Sequence, residues 1–484
     1  MSEEKIHFIA NDAIMDRSIV PEVIYDENKK LIDLYYAAWQ SAYGHIFTCH
    51  GAPVETYMNE GIRSNHIWIW DTCFMVLFCR YAAKHFPGIQ SLDNFYRVMH
   101  NNESMVLKVH HPDNPPLFAW TEYEYLLHSG DKERIRHILL EKRYLQRHYQ
   151  WLNELKANVK LDYAFMLTGA EFFPGKGFMW SGNPSGMDNT PRGDDDYESI
   201  YWFDLSAQQG LSALYISRLA ESIGEEALAE EWKQEYLKQK EFVNKRFWSE
   251  EDQMYFDFFR DESGFCKVLT PAAAWPLLAE MSDKKQAAAL AFAYDDPDRL
   301  GFGPFATVTP ESKYFDPTGR YWRGGIWLPT AYMSIKALER NGFQSLADSL
   351  SEQLVDKLLR TYENFEPHTL WECYSPTEDM PATKKIEGLV RPDFCGWTAL
   401  GPISLFIENI LGVREVNSLK NNITYEPRSK QRSGIRNLNM ADNVISLVTL
   451  PEEKIISVEA KMPFTLILPG RSEVCPAGKS VTQL

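Results

Sequence analysis

A chain of 484 residues with 67 Asp and Glu against 50 Lys and Arg carries a formal charge of −17, which excludes the clustered basic surface that neutralises nucleic-acid phosphates. A hydrophobic share of 44%, with 14 Trp, 24 Tyr and 27 Phe, excludes a disordered or fibrous chain and supplies rings enough for a large core and for aromatic clefts. The length suits one large domain or about two to three average ones.

The first residues, Met1 to Phe8, lack a basic segment followed by an apolar run of signal length, and no stretch of about 18 apolar residues occurs anywhere. The expectation is a cytoplasmic protein with no membrane partner. Residues 1–28 show no helical pattern and are expected to form an extended arm. From residue 29 to 412, apolar residues recur at three- and four-residue spacing. Leu31, Leu34, Tyr35 and Trp39 make one helical stripe, a second starts near Asp71 and runs through Phe74, Leu77, Phe78 and Tyr81, and a third joins Trp120, Tyr123 and Leu127 to the stop signal Gly130-Asp131. Further helical segments are expected over 132–155, as pairs over 205–247, 271–294 and 327–362, and over 397–411, about ten to twelve helices in all. Some connections are tight, such as Asn341-Gly342, whereas 102–116, 168–196, 301–325 and 364–393 are long and rich in Pro, Gly and aromatics. Short turns alternating with long, chemistry-bearing loops are the layout of an α/α toroid, although periodicity alone does not close the ring. Beyond Gly412 the pattern changes to strand-like alternation at 443–450, 454–460 and 464–470, which predicts a small β appendage over 413–484 behind a helical body over 29–412.

Two carboxylates have conspicuous settings in the long loops, where binding and catalytic groups concentrate. Asp188 lies in Ser185-Gly186-Met187-Asp188-Asn189-Thr190-Pro191-Arg192, and Glu372 in Trp371-Glu372-Cys373-Tyr374-Ser375-Pro376-Thr377. Cleaving an acetal requires one carboxyl to protonate the departing oxygen and a second to activate water or attack the anomeric carbon. Gly186 and Pro191 hold the first segment in loop geometry, Arg192 is placed to orient a carboxylate or a sugar hydroxyl, and Trp371 and Tyr374 offer ring faces to a pyranose. The bland alternative, surface acids and core aromatics, describes most such residues. Seven scattered cysteines without a Cys-x-x-Cys pair indicate reduced thiols rather than disulfides or a zinc site. The run Gly193-Asp194-Asp195-Asp196 has oxygens for a hard cation but no metal-loop spacing and reads as a solvated acidic loop; no metal or cofactor is expected.

With these motifs placed, the chain resembles the inverting α-glycosidases of glycoside hydrolase clan G, especially family 63, with the trehalases as more distant relatives. Trp68-Ile69-Trp70-Asp71-Thr72-Cys73-Phe74 resembles the Trp-Asp-Ser-x-Phe segment of that family, and Ser185 to Arg192 departs from Ser-Gly-Met-Asp-Asn-Ser-Pro-Arg only at Thr190. Tyr321-Trp322-Arg323-Gly324-Gly325-Ile326-Trp327 is similar to Tyr-Trp-Arg-Gly-Pro-x-Trp with Gly325 in the Pro position, and Trp371 to Pro376 is similar to a Glu-Asn-Tyr-Asn-Pro type of motif. The resemblance implies a mainly α fold, an (α/α)6 barrel. It implies Asp188 as general acid and Glu372 as general base on water, with inversion and hence carboxyl groups about 6.5 to 9.5 Å apart. It places Trp70, Asp71, Arg323 and Trp327, with Trp322, in the subsite for the cleaved sugar; Trp120, Glu122, Trp397 and His66 are weaker candidates. An N-cap for Asp71 and plain helix core for Trp327 are the structural alternatives.

Cys373, Ser375 and Glu378-Asp379 depart from the family pattern beside the base and are expected to reshape the leaving-group subsite. The chain is similar to shorter bacterial members, including those acting on glucosylglycerate or mannosylglycerate, and an acidic protein taking such a substrate needs a local cationic pocket, for which Arg63, Arg192 and Arg323 are the candidates. The leading expectation is an exo-acting inverting α-glycosidase of a small saccharide or glycoside, an α-glucoside first, then an α-mannoside or hexosylglycerate. A sugar epimerase and a non-catalytic carbohydrate-binding protein on the same barrel are the alternatives. A monomer or small homo-oligomer is expected.

Overall fold

Among the described residues, mostly buried helical segments alternate along the chain with more exposed ones, and that alternation organises the molecule. In the computed structural model, residues 8–62, 64–103 and 106–484 are described; residues 1–7 of the expected arm and the candidate Arg63 lie outside them. The segments are α1 (Lys29–Gly44), α2 (Ile69–Cys79), α3 (Gly88–Asn101), α4 (Phe118–Ser129), α5 (Tyr144–Asn153) and α6 (Phe203–Ser222). The second half supplies α7 (Glu226–Phe247), α8 (Trp275–Leu278), α9 (Lys284–Asp295), α10 (Leu328–Arg340), α11 (Gln344–Asn364) and α12 (Gly401–Ile410), the last wound with wider π-type turns.

The even-numbered segments are the inner set. Every residue of α2 and of α12 is buried, as expected of a helix enclosed on all sides. Contacts run from α2 to α4, α4 to α6, α6 to α8, α8 to α10, α10 to α12 and from α12 back to α2. The odd-numbered helices lie outside. On α7, the longest, only Trp232, Tyr236, Val243 and Phe247 are buried, a stripe at four- and seven-residue spacing on an otherwise charged helix that packs along α6. Local signals set the ends: Gly130, with φ 68°, caps α4, and Asp283 with Gln286 forms a capping box on α9.

Two elements depart from the sequence expectations. The segment over 132–155 is not one helix, because Arg143 takes a left-handed φ of 54° between a short helix (Lys132–Arg136) and α5. Helix α3 lies in a stretch where periodicity gave no helix; it starts at Gly88, where a Cβ would stand 2.6 Å from the Cys79 Cβ, so glycine is what lets α3 dock on the end of α2.

After α12 the chain forms strands in two sheets. One orders 413–417, 422–425, 464–468 and 471–475; the other orders 22–25, 433–440, 443–450, 455–460 and 478–483. The edge strand Glu22–Tyr25 comes from the N-terminal segment and pairs antiparallel with Ser433–Arg436, so the start of the chain is tied to its end. Among the described residues no helix is long and apolar enough to cross a membrane, and all seven cysteines are buried and free.

Candidate active site

The segments that lead into the inner helices converge at one end of the helical body. Trp70 and Asp71 open α2, His110, His111 and Asn114 precede α4, Asp188 lies ahead of α6, Tyr321 to Trp327 lead into α10, and Glu372, Arg391 and Trp397 precede α12. Side chains from all five line a cleft of about 160 Å³. That is below the roughly 300 Å³ at which sites for drug-sized ligands begin, and suits a single sugar ring. The helix N-termini around it present the positive end of the macrodipole, which favours carboxylates at this end.

The wall is aromatic. Trp322 and Trp327 stack with centroids 4.1 Å apart and planes at 11°, and Trp70 and Trp397 lean on this pair, Trp70 5.9 Å from Trp397 and 6.0 Å from Trp322. The Trp327 indole N–H donates to the Tyr321 carbonyl at 2.9 Å, fixing the turn that carries Tyr321 and Trp322. Gly186 permits the close approach of the Asp188 loop: with φ 82°, its Cβ would fall 2.3 Å from the Trp70 ring. Asn114 staples the same two elements, accepting from the Trp70 N–H and donating to the Pro184 carbonyl at 2.9 Å.

The two carboxylates occupy different surroundings in this cleft. The Glu372 side chain is 4% exposed; its Oε1 accepts the Tyr321 hydroxyl at 2.8 Å and its Oε2 the Arg391 N–H at 3.3 Å. Both donors suit a carboxylate as acceptor. The Asp188 side chain is 28% exposed and its Oδ2 meets the Lys385 ammonium at 2.5 Å. Burial raises the Asp188 carboxyl above the ordinary carboxylate range, and Lys385 opposes that rise. Asp71, in the first turn of α2, is buried with Oδ2 unpartnered, and burial followed by repulsion from Glu372 and Asp188 pushes it well up. Glu60, 1% exposed with Oε1 unpartnered, is pushed up by burial and by Asp71. Burial lowers His110 to about 4 and His111 to about 3, so both rings are neutral near pH 7. Among the described residues no cluster of His, Cys, Asp and Glu has metal-binding geometry.

Residues 65–394 match the family described as the mannosylglycerate hydrolase MGH1-like glycoside hydrolase domain. The chain belongs to this glycoside hydrolase family. It is 23% identical over 462 residues to an uncharacterized protein of Borreliella burgdorferi, covering 90% of each, and 31% identical over 172 residues to a mannosylglycerate hydrolase of Rubrobacter radiotolerans, covering 32% of this chain and 36% of the relative. Among solved structures, a family-63 mannosylglycerate hydrolase of Thermus thermophilus in complex with Tris and D-glycerate superposes with a TM-score of 0.57 at 17% identity, over 77% of this chain and 99% of that one. A sialidase chain superposes with a TM-score of 0.70 at 14% identity; this chain spans 42% of its length. At such identities these structures speak for the fold alone: this glycoside hydrolase is a family-63-like, mainly α protein with six-hairpin relatives and a small C-terminal strand region.

Within this family-63-like hydrolase, the structure brings Trp70, Asp71, Asp188, Trp322, Trp327, Glu372 and Trp397 to one cleft. It takes other candidates elsewhere. Arg192 is no sugar ligand: it is fully buried, donating to Asp257 Oδ2 at 2.6 Å and Asp204 Oδ2 at 2.7 Å, with its guanidinium 4.2 Å above the Trp202 ring. Arg323 turns outward to an ion pair with Asp195, and Lys313 and Tyr314 hold Asp194. Trp371 and Tyr374 pack behind Glu372, Trp371 edge-on to Phe365 and the Tyr374 hydroxyl accepting the Trp371 N–H. Trp120 is buried against Phe74, its N–H donating to Glu124, and Glu122 binds Arg134. His66 lies on Phe165, ring centroids 4.0 Å apart.

The cations of the cleft are instead Lys385 and Arg391, and with Tyr321 and Glu60 they are the residues that motif reading passed over. Tyr321 carried a signal, since it heads the Tyr-Trp-Arg motif. Lys385 and Arg391 carried none, because their relevance comes from a hairpin folding back over the loop of Asp188.

Proposed function

We propose that this protein is an exo-acting, inverting α-glycosidase that removes one terminal hexose, glucose or mannose, from a small α-linked glycoside, with hexosylglycerates as the preferred class. The observation that carries the reading is the pairing of Asp188 and Glu372 in a cleft sized for one sugar ring, with opposite surroundings. The general acid, Asp188, protonates the glycosidic oxygen as the bond to the anomeric carbon breaks. Glu372, oriented by Tyr321 and the Arg391 N–H, takes a proton from the water that attacks the opposite face. The tryptophan wall packs against the ring's C–H face, and Asp71, with an unpartnered buried oxygen, receives hydroxyl hydrogen bonds that repay its desolvation. The cationic Lys385 and Arg391 beside the two carboxylates, and the family's own description, support an acidic aglycone over a neutral one.

An epimerase needs titratable histidines near neutrality, and burial keeps His110 and His111 from serving. Glu372→Gln separates an enzyme from a binding protein. Turnover is expected to fall by about 10² to 10⁴, the contribution of a general base, while calorimetric affinity for the released hexose stays near that of the unaltered protein. Unchanged turnover in the variant would remove Glu372 from the mechanism.

A further inference from the structure

The Lys385 ammonium sits against Asp188 Oδ2, 2.5 Å away, in the free protein. An ammonium at that distance favours the carboxylate form of Asp188 and opposes the rise that burial causes, which works against a group that must donate a proton. The lysine is carried by a hairpin whose backbone is secured: Lys384 N–H donates to the Gly388 carbonyl at 2.8 Å, Tyr321 N–H to the Thr383 carbonyl at 2.8 Å, and the Arg320 guanidinium to the Lys385 carbonyl. Its side chain is the free part, 36% exposed, with the ammonium 5.2 Å from the Tyr321 ring centroid. A four-carbon stem lets that ammonium swing while the backbone stays in place.

We propose that Lys385 keeps Asp188 ionised in the free enzyme and is drawn off it by a carboxylate on the substrate's aglycone, so that an anionic glycoside switches on its own general acid. The aglycone leaves from the Asp188 side, because Asp188 protonates the oxygen that joins it to the sugar. A carboxylate there stands within reach of the same ammonium. Once Lys385 has moved, Asp188 keeps Arg391 as its cationic neighbour, faces the charge of Glu372 and gains that of the substrate, so it takes up a solvent proton. The neutral groups around it, Tyr321, Tyr197 and His111, leave this balance unchanged. That proton then passes to the glycosidic oxygen, the aglycone departs as an alcohol, and water supplies hydroxide to the anomeric carbon and a proton to Glu372. A neutral aglycone leaves Lys385 in place.

The inference rests on the hydrolase reading above, and three substrates separate the two. These are an α-hexosylglycerate, the matching α-hexosylglycerol, which lacks the carboxylate, and the α-hexosyl fluoride, whose leaving group needs no acid. Replacement of Lys385 by methionine should lower kcat/KM for the glycerate by about 10- to 100-fold, the worth of a hydrogen bond to a charged group. It should lower the rates for the fluoride and the glycerol by far less than the rate for the glycerate. With the glycerol substrate, the alkaline limb of kcat/KM should move to higher pH, because the cation that opposed protonation of Asp188 is gone; Lys385→Arg should restore the preference for glycerate. Equal losses on glycerate and glycerol with an unmoved alkaline limb would overturn the inference. Failure of the unaltered protein to hydrolyse the fluoride would instead overturn the glycosidase reading, and the inference with it.

Discussion

Replacing Arg192 by methionine distinguishes a scaffold from a ligand at the one position of the Asp188 motif where sequence and structure disagree. The guanidinium makes four hydrogen bonds to Asp204 and Asp257, each about 1% exposed, and lies over Trp202 and Phe203. Methionine fills much of the volume but leaves two buried carboxylates without a counter-charge. Breaking a buried pair by removing one partner costs about 3–5 kcal/mol, and with two stranded acids the upper end applies. In a thermal melt of a chain this long this corresponds to a midpoint lowered by about 3–5 °C. The sign of the pH dependence is fixed: without Arg192 the Asp257 carboxyl loses the cation that opposes the rise caused by its burial, so the penalty is smallest at acid pH, where it is protonated, and grows as pH rises. Adding Asp257→Asn should recover part of the loss. KM of the folded variant should stay within about twofold of the unaltered enzyme, since no binding contact has gone. A raised KM with an unchanged melting midpoint would refute the reasoning and return Arg192 to the sugar site.

Tyr321→Phe removes the hydroxyl that donates to Glu372 at 2.8 Å. The expected result is a fall in kcat of about 10- to 100-fold with a melting midpoint close to that of the unaltered protein; an unchanged kcat would mean that Tyr321 only fills space. Asp113 is buried, accepts the Gly169 and Ala170 N–H groups and is pushed up to about 6. A raised carboxyl stabilises the fold below its ordinary value and loses that contribution as pH rises through about 6, so Asp113→Asn should flatten the stability profile between about pH 4 and 6, by up to roughly 3 kcal/mol. Melting midpoints across that range for both proteins test it, and parallel profiles would refute it.

Much of the site is legible in the sequence because its residues sit in short segments with turn residues and rings. Trp70, Asp71 and Trp327 sit at helix starts and Trp322 in the turn that leads into one, and their convergence follows from the inner helices presenting the same end. Arg192 and Arg323 mislead for a physical reason: a guanidinium near an acidic motif suits an internal ion pair as well as a ligand. The partners that decide are Asp204 and Asp257 for Arg192, 12 and 65 residues away, and Asp195 for Arg323, 128 residues away. Lys385 and Arg391 are invisible to local reading, since only the hairpin's return over the cleft gives them meaning. In the fold, the stripe on α7 and the alternation beyond Gly412 can be read from periodicity. The pairing of Glu22–Tyr25 with Ser433–Arg436 cannot, because register between segments some 400 residues apart leaves no local trace.

The central claim is an acid–base pair acting from opposite faces of one sugar, and the measurement that tests it most directly is the configuration of the hexose at the moment of release. Proton NMR of the purified protein with α-glucosylglycerate and α-mannosylglycerate, followed before mutarotation sets in, should show the β-anomer appearing first from the preferred substrate, and no product with Asp188→Asn. First appearance of the α-anomer would contradict Glu372 as a base acting on water, and full activity in the Asp188 variant would contradict the pair altogether.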